Sequence, residues 1–226
     1  MRLLILSDIH ADAAGLEQVL LHAEQENWQA LVLLGDLIGY GPEPAATLAL
    51  LGRQETVVSI GGNHEHMLGQ LRGGRLPQVA PQVRDALQLC LDQLSPAQLD
   101  GLGALPAGHM NGRWQAAHGH PGRNRFDYLL GSADARRAEQ FLQADLCLIG
   151  HSHLPGMLLR SDDGRWTARP ARLEAHDWRI ARGAKAFLNP GSTFQNRDGT
   201  PDRSYGILDL SSESETVFSV RRLTRD

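Results

Sequence analysis

The chain has 226 residues, 42% of them hydrophobic, with 22 basic and 26 acidic side chains and a net charge of −4. That is enough apolar material for a sizeable core, and the near balance of charge argues against a nonspecific nucleic-acid binder while leaving room for a small basic groove. Cys90 and Cys147 lie far apart in apolar surroundings and read as reduced core thiols of a cytoplasmic protein; the opening MRLLILSD is too short for a signal peptide, and no stretch approaches the ~18 apolar residues of a membrane span.

Residues 2–7 form a short apolar run that ends in polar residues, the pattern of a strand buried on both faces. Residues 14–26 place Leu16, Val19, Leu20 and Ala23 on one helical face. A second buried strand is expected at 30–34, a Pro42/Pro44 loop and a helix up to Leu51 after it, and a third strand at 56–60. Strands alternating with helices imply βαβ units and a largely parallel first sheet. A helical middle follows, with helices opening near 62 and 80 and a third at Ser95-Pro96, an N-cap followed by proline at the first helical position. Strands at 113–118 and 145–149 flank a helix at about 133–143. Asp162-Asp163-Gly164 joins 155–161 to 165–170 as a hairpin, and strands at 185–188, 204–210 and 215–223 complete a more antiparallel second half. No repeat, low-complexity tract or linker divides the chain, so residues 1–226 are expected to form a single domain.

Five apolar runs, LLILSDIH, LVLLGDLIG, VVSIGGNHEH, WQAAHGHP and LCLIGHSHLPG, share one property. Each ends in aspartate, asparagine or histidine: Asp8, His10, Asp36, Asn63, His64, His118, His151 and His153. All lie just past the carboxyl end of a predicted strand, the edge at which open α/β sheets bind ligands. Carboxylate oxygens mixed with imidazole nitrogens suit Mn, Fe, Zn, Co or Ni. The set is too large for one four-coordinate structural zinc. It suits two neighbouring divalent ions sharing a carboxylate, a device for attacking phosphate esters. No G-x-x-x-x-G-K-[ST] run is present, which argues against a nucleoside-triphosphate motor or kinase.

The ordered series D-x-H, G-D, G-N-H-E, H-G-H and G-H-S-H across residues 8–153 resembles the calcineurin-like metallophosphoesterase superfamily, and Asn189-Pro190-Gly191-Ser192 is similar to an element of its smaller bacterial and archaeal phosphodiesterases. Glu65 departs from the pattern by standing where many relatives have aspartate, and His66 is an additional histidine. The resemblance implies a two-sheet α/β-β/α sandwich. It implies that Asp8, His10 and His153 hold one metal and Asn63, His118 and His151 the other, with Asp36 bridging them. Manganese is the first expectation, with iron, zinc, nickel and cobalt as alternatives. A hydroxide between the metals would be the nucleophile, and His64, oriented by Glu65 or by the bridging and catalytic Asp36, would serve as proton donor or charge stabiliser. His151 and His153, two apart, would face adjacent metals if locally extended. Substrate-side roles are expected for Asn63 and His64, for Tyr40 in the YGP-x-P element, for His120, and for Arg123 and Arg125 as phosphate clamps. The expected activity is hydrolysis of phosphodiesters, and secondarily monoesters, of small or nucleotide substrates. Protein phosphatase, nuclease and non-catalytic scaffold are the alternatives.

Overall fold

Alternation along the first strand, β1 (Arg2–Leu6), decides how the molecule is layered. Leu3 and Ile5 enter one buried cluster, Leu4 and Leu6 another. The neighbouring β2 (Ala30–Leu33) divides the same way, Ala30 and Val32 against Leu31 and Leu33. A strand buried on both faces must have layers above and below it. The structure, a computed structural model, describes residues 1–122, 124–172 and 174–224.

Two six-stranded sheets pack face to face. The first adds β3 (Thr56–Ser59), β9 (Ala175–Ala181), β11 (Arg203–Asp209) and β12 (Glu215–Leu223) in the order β3-β2-β1-β11-β12-β9. The second contains β4 (Gly108–Met110), β5 (Trp114–Ala117), β6 (Leu146–Leu148), β7 (Gly156–Arg160), β8 (Trp166–Pro170) and β10 (Ala186–Asn189) in the order β4-β5-β6-β10-β7-β8. Leu3, Ile5 and Val32 meet Leu146, Leu148 and Leu188 between the sheets. The outer face of the first sheet is covered by helices α1 (Ala13–Ala23), α2 (Pro44–Leu51), α3 (Asn63–Arg72), α4 (Pro81–Gln93) and α5 (Pro96–Gly103). The outer face of the second packs Cys147 and Phe187 against Ala135 and Ala138 of α6 (Ser132–Ala138). This is the expected α/β-β/α sandwich.

The sheets are not divided as parallel first half and antiparallel second. Each is mixed: β1–β2–β3 and β5–β6–β10 are parallel, the remaining pairs antiparallel. The C-terminal strands split between them, and β11 runs antiparallel along the open edge of β1, pairing Leu4 with Ile207. Two strands fall outside the sequence expectation. β4 has three residues at a sheet edge. β9 is also an edge strand, and its half-buried His176 and Trp178 and buried Ile180 alternate with exposed Asp177 and Arg179. The described helices include none long and apolar enough to cross a membrane.

Candidate metal centre

The parallel strands of both sheets deliver their carboxyl ends to one place, and the backbone reverses sharply there. Asp8, His10, Asp36, His151 and His153 all have φ between 52° and 63°. Non-glycine residues are uncommon in this left-handed region, and each costs roughly 1–3 kcal/mol. The loops after β1 and β2 are zipped together: the Asp8, His10 and Ala11 amides donate to the carbonyls of Gly35, Asp36 and Leu37 at 3.1, 2.9 and 2.9 Å. His151 and His153 are therefore not in an extended segment. Each lies in a left-handed turn, with the intervening Ser152 amide donating to Gly150 O at 2.7 Å.

Two carboxylate oxygens point into the resulting cluster. Asp8 Oδ2 accepts from the Ser7 hydroxyl at 2.6 Å and the His151 amide at 2.9 Å. Its Oδ1 is buried without a hydrogen bond, 3.2 Å from His153 Nε2 and 3.9 Å from His10 Nε2. Asp36 Oδ1 accepts from the His64 amide at 2.9 Å. Its Oδ2 faces the Nε2 atoms of His118 at 3.3 Å, His10 at 3.9 Å and His64 at 4.0 Å. His118 Nε2 also lies 3.1 Å from Asn63 Oδ1, and the Nε2 atoms of His10 and His153 are 3.2 Å apart.

Ligand-type atoms of Asp8, His10 and His153 lie within 4.8 Å of one another, as do those of Asp36, His118 and His151, and those of His10, Asp36 and His64. The far ring nitrogens are already assigned: His118 Nδ1 donates to Leu34 O at 2.7 Å and His153 Nδ1 to Gln195 O at 2.8 Å, aiming both Nε2 lone pairs inward. An orphaned carboxylate oxygen with ring nitrogens crowded around it is what divalent cations would satisfy, so the residues present fit a metal centre.

Charge in the cluster follows the same logic. Burial pushes Asp8 up, but His153 and His118 outweigh it and hold the carboxyl well below the usual range. Asp36 is likewise raised by burial and more strongly lowered by His118 and His64. Burial pulls His10 down to about 3 and His151 to about 4, and it also lowers His64. His118 is the exception. Burial lowers it, yet Asp36, Asp8 and the Leu34 carbonyl lift it to about 10.

Residues 1–155 match the sequence profile of the calcineurin-like phosphoesterases. The chain belongs to that family. Across 210 residues it is 27% identical to uncharacterized protein MJ0912 of Methanocaldococcus jannaschii, covering 91% of this chain and 81% of the relative. A metallophosphoesterase from Sphaerobacter thermophilus superposes with a TM-score of 0.82 at 27% identity, over 100% of this chain and 90% of that one. Hypothetical protein PH1004 from Pyrococcus horikoshii OT3 has the same fold, with a TM-score of 0.70 at 13% identity, over 100% of this chain and 88% of its own.

Several residues support this phosphoesterase's cluster without facing it. Glu65 accepts from the amides of Gly62, Asp36, Leu37 and Ile38 at 2.7, 2.9, 2.8 and 3.3 Å, so it fastens the Asp36 loop to the start of α3 and does not orient the His64 ring. Burial and the nearby Asp36 push its carboxyl up to about 7, against the pull of those amides. The Asn-Pro-Gly-Ser element is a buckle. Asn189 Nδ2 donates to Gly150 O and Ser152 Oγ, and Ser192 Oγ donates to Asp8 O at 2.8 Å. Gly150 lets that region close up, since a Cβ there would lie 1.8 Å from Ser7 Oγ. Ser7 adjoins a motif residue and Glu65 closes the G-N-H-E motif, but nothing in their spacing marks these roles.

The substrate-side candidates separate. Tyr40 packs edge-on against His10 at 4.6 Å and tilts toward His64 at 4.9 Å, with 41% of its surface exposed. His120 turns aside: its ring packs on Phe141 and its Nδ1 accepts from the Gly122 amide. Arg125 lies over Phe126 at 4.7 Å and reaches His66 Nδ1 at 3.2 Å. Arg123 lies outside the described residues. The ring of Tyr128, which the motifs did not single out, lies flat on His151.

Proposed function

We propose that this phosphoesterase is a dinuclear metal-dependent phosphodiesterase, with all 226 residues acting as one domain. The observation that carries the reading is Asp36 Oδ2, one oxygen facing both His10, which groups with Asp8 and His153, and His118, which groups with His151. In this reading Asp8, His10 and His153 hold one divalent ion, Asn63, His118 and His151 the second, and Asp36 joins them. Manganese is the favoured ion, with iron, zinc, nickel or cobalt able to use the same donors. Bound cations would neutralise the phosphate and make water a competent nucleophile near neutral pH. The chain's own contribution is orientation. The two carboxylates stay ionised, and the imidazoles are turned inward by the Leu34 and Gln195 carbonyls. In the same reading His64, buried beside Asp36, would donate a hydrogen bond or proton to the departing oxygen.

Diesters are preferred over monoesters in this proposal because Arg125 is engaged with Phe126 and His66, which leaves the extra charge of a monoester dianion less well matched. Small diesters or nucleotides are the proposed substrates. Two buried, unbridged cysteines agree with a cytoplasmic setting. The test is hydrolysis of bis(4-nitrophenyl) phosphate and 4-nitrophenyl phosphate by EDTA-stripped protein resupplied with Mn, Mg, Ni, Zn or Co. Metal-restored turnover favouring the diester is expected. Efficient monoester turnover with negligible diester turnover would overturn the substrate class, and no restoration by any metal would overturn the metal role.

A further inference from the structure

Tyr128 is an exposed aromatic residue stacked on a histidine of the cluster. Its ring lies 4.2 Å from that of His151 at an interplanar angle of 9°, yet 45% of the residue remains in contact with solvent. It is held from a second loop. Arg197 Nη1 reaches the Tyr128 hydroxyl at 3.5 Å, and the Arg197 amide donates to His153 O at 2.9 Å. One face of the ring is thus fixed on a histidine of the cluster while much of the ring meets solvent. Tyr40 has the corresponding position on the other triad. It contacts His10 and His64, stands parallel to Phe194 at 6.2 Å and 5°, and is 41% exposed. Solvent-facing rings braced on site residues are the platforms on which planar groups stack, whatever their sequence or identity.

We propose that Tyr40 and Tyr128 are a pair of stacking platforms, one on each triad, and that the substrate is a small diester carrying a planar group on each arm, as a dinucleotide does. This rests on the phosphodiesterase reading above. His64 adjoins Tyr40, so the leaving arm lies on the Tyr40 side and the retained arm on Tyr128. A monoester has no retained arm and leaves Tyr128 unused.

The assignment of Tyr128 is tested by two diesters with the same leaving group, phenyl 4-nitrophenyl phosphate and methyl 4-nitrophenyl phosphate, assayed with the metal-loaded enzyme. The phenyl ester should be favoured in kcat/KM by about tenfold, the scale of one stacked ring. Tyr128→Ala and Tyr128→Leu should bring the ratio close to one, and Tyr128→Phe should preserve it. A purely structural role would change both esters together and leave the ratio standing. Calorimetric titration of the metal-loaded protein with phenyl methylphosphonate and methyl methylphosphonate reads the same preference without turnover, so it remains decisive if neither diester is hydrolysed. A ratio near one in the wild type, or one unaltered in both Tyr128→Ala and Tyr128→Leu, would overturn the proposal.

Discussion

Asp36 offers the two halves of the centre a single oxygen, because the His64 amide occupies the other. Its replacement by asparagine keeps the shape and removes the shared negative charge. Asp36→Asn should therefore reduce activity more than alanine at any one histidine, and metal content by plasma mass spectrometry should fall from the proposed two ions per chain to one or fewer. Retention of two ions with near-normal turnover would remove Asp36 from its bridging place. His64 makes a different demand. If it assists departure of the leaving oxygen, His64→Ala should cost on the order of 10²–10⁴ for an alkyl ester and much less for a nitrophenyl ester, with metal content preserved. Equal losses on both esters would leave only charge stabilisation. His118 supplies the pH dependence. Burial lowers its pKa, but Asp36 and Asp8 lift it to about 10, so His118 would have to release a proton to serve as a metal ligand near pH 8. Apparent metal affinity should thus rise with pH up to about 10. Titration in two buffers of different ionisation enthalpy should register proton release that His118→Asn abolishes.

At the scale of elements, the loops are the informative parts. Gly150→Ala places a methyl group against Ser7 Oγ and 2.8 Å from Asp8 Oδ2, so it should displace Asp8 and weaken metal binding while the far-ultraviolet spectrum stays unchanged. The left-handed turns carry a second expectation. At His151 and His153, glycine should give a more stable stripped protein than alanine by about 1 kcal/mol, reversing the usual order, because only glycine adopts that backbone freely. Thermal melts of the two pairs of variants measure this. The same turns explain what could be read from residues alone. Apolar runs ending in Asp, Asn and His marked the strands, their carboxyl edge and all seven candidate ligands, since each signal is local. The left-handed geometry at His151 and His153 was not legible, because tertiary bonds from Asn189 and the Arg197 amide hold that loop and histidine has no propensity that announces it. Strand β9 was hidden by its edge position, where charged residues alternate with the core face. Tyr128 was hidden because its neighbour, His151, is distant in sequence.

For the whole molecule, the decisive arrangement is that the candidate ligands come from two sheets. Asp8, His10, Asp36 and Asn63 follow strands of the first, and His118, His151 and His153 follow strands of the second. Cations seated among them would fasten the two layers at that edge. Metal at 100 times its dissociation constant should add about 2.7 kcal/mol to folding stability, seen as a rise in melting temperature that EDTA reverses. A melting temperature indifferent to metal would mean that the ions do not join the layers. Of the eight non-glycine residues at positive φ among those described, seven belong to loops around the centre. The hydrophobic layers carry that strain, and none of them depends on it. In evolutionary terms, selection for chemistry and selection for foldability therefore oppose each other at the candidate site residues among these seven. A descendant released from the chemistry would drift toward glycine there and become sturdier, keeping the sandwich as a scaffold after the reaction had gone.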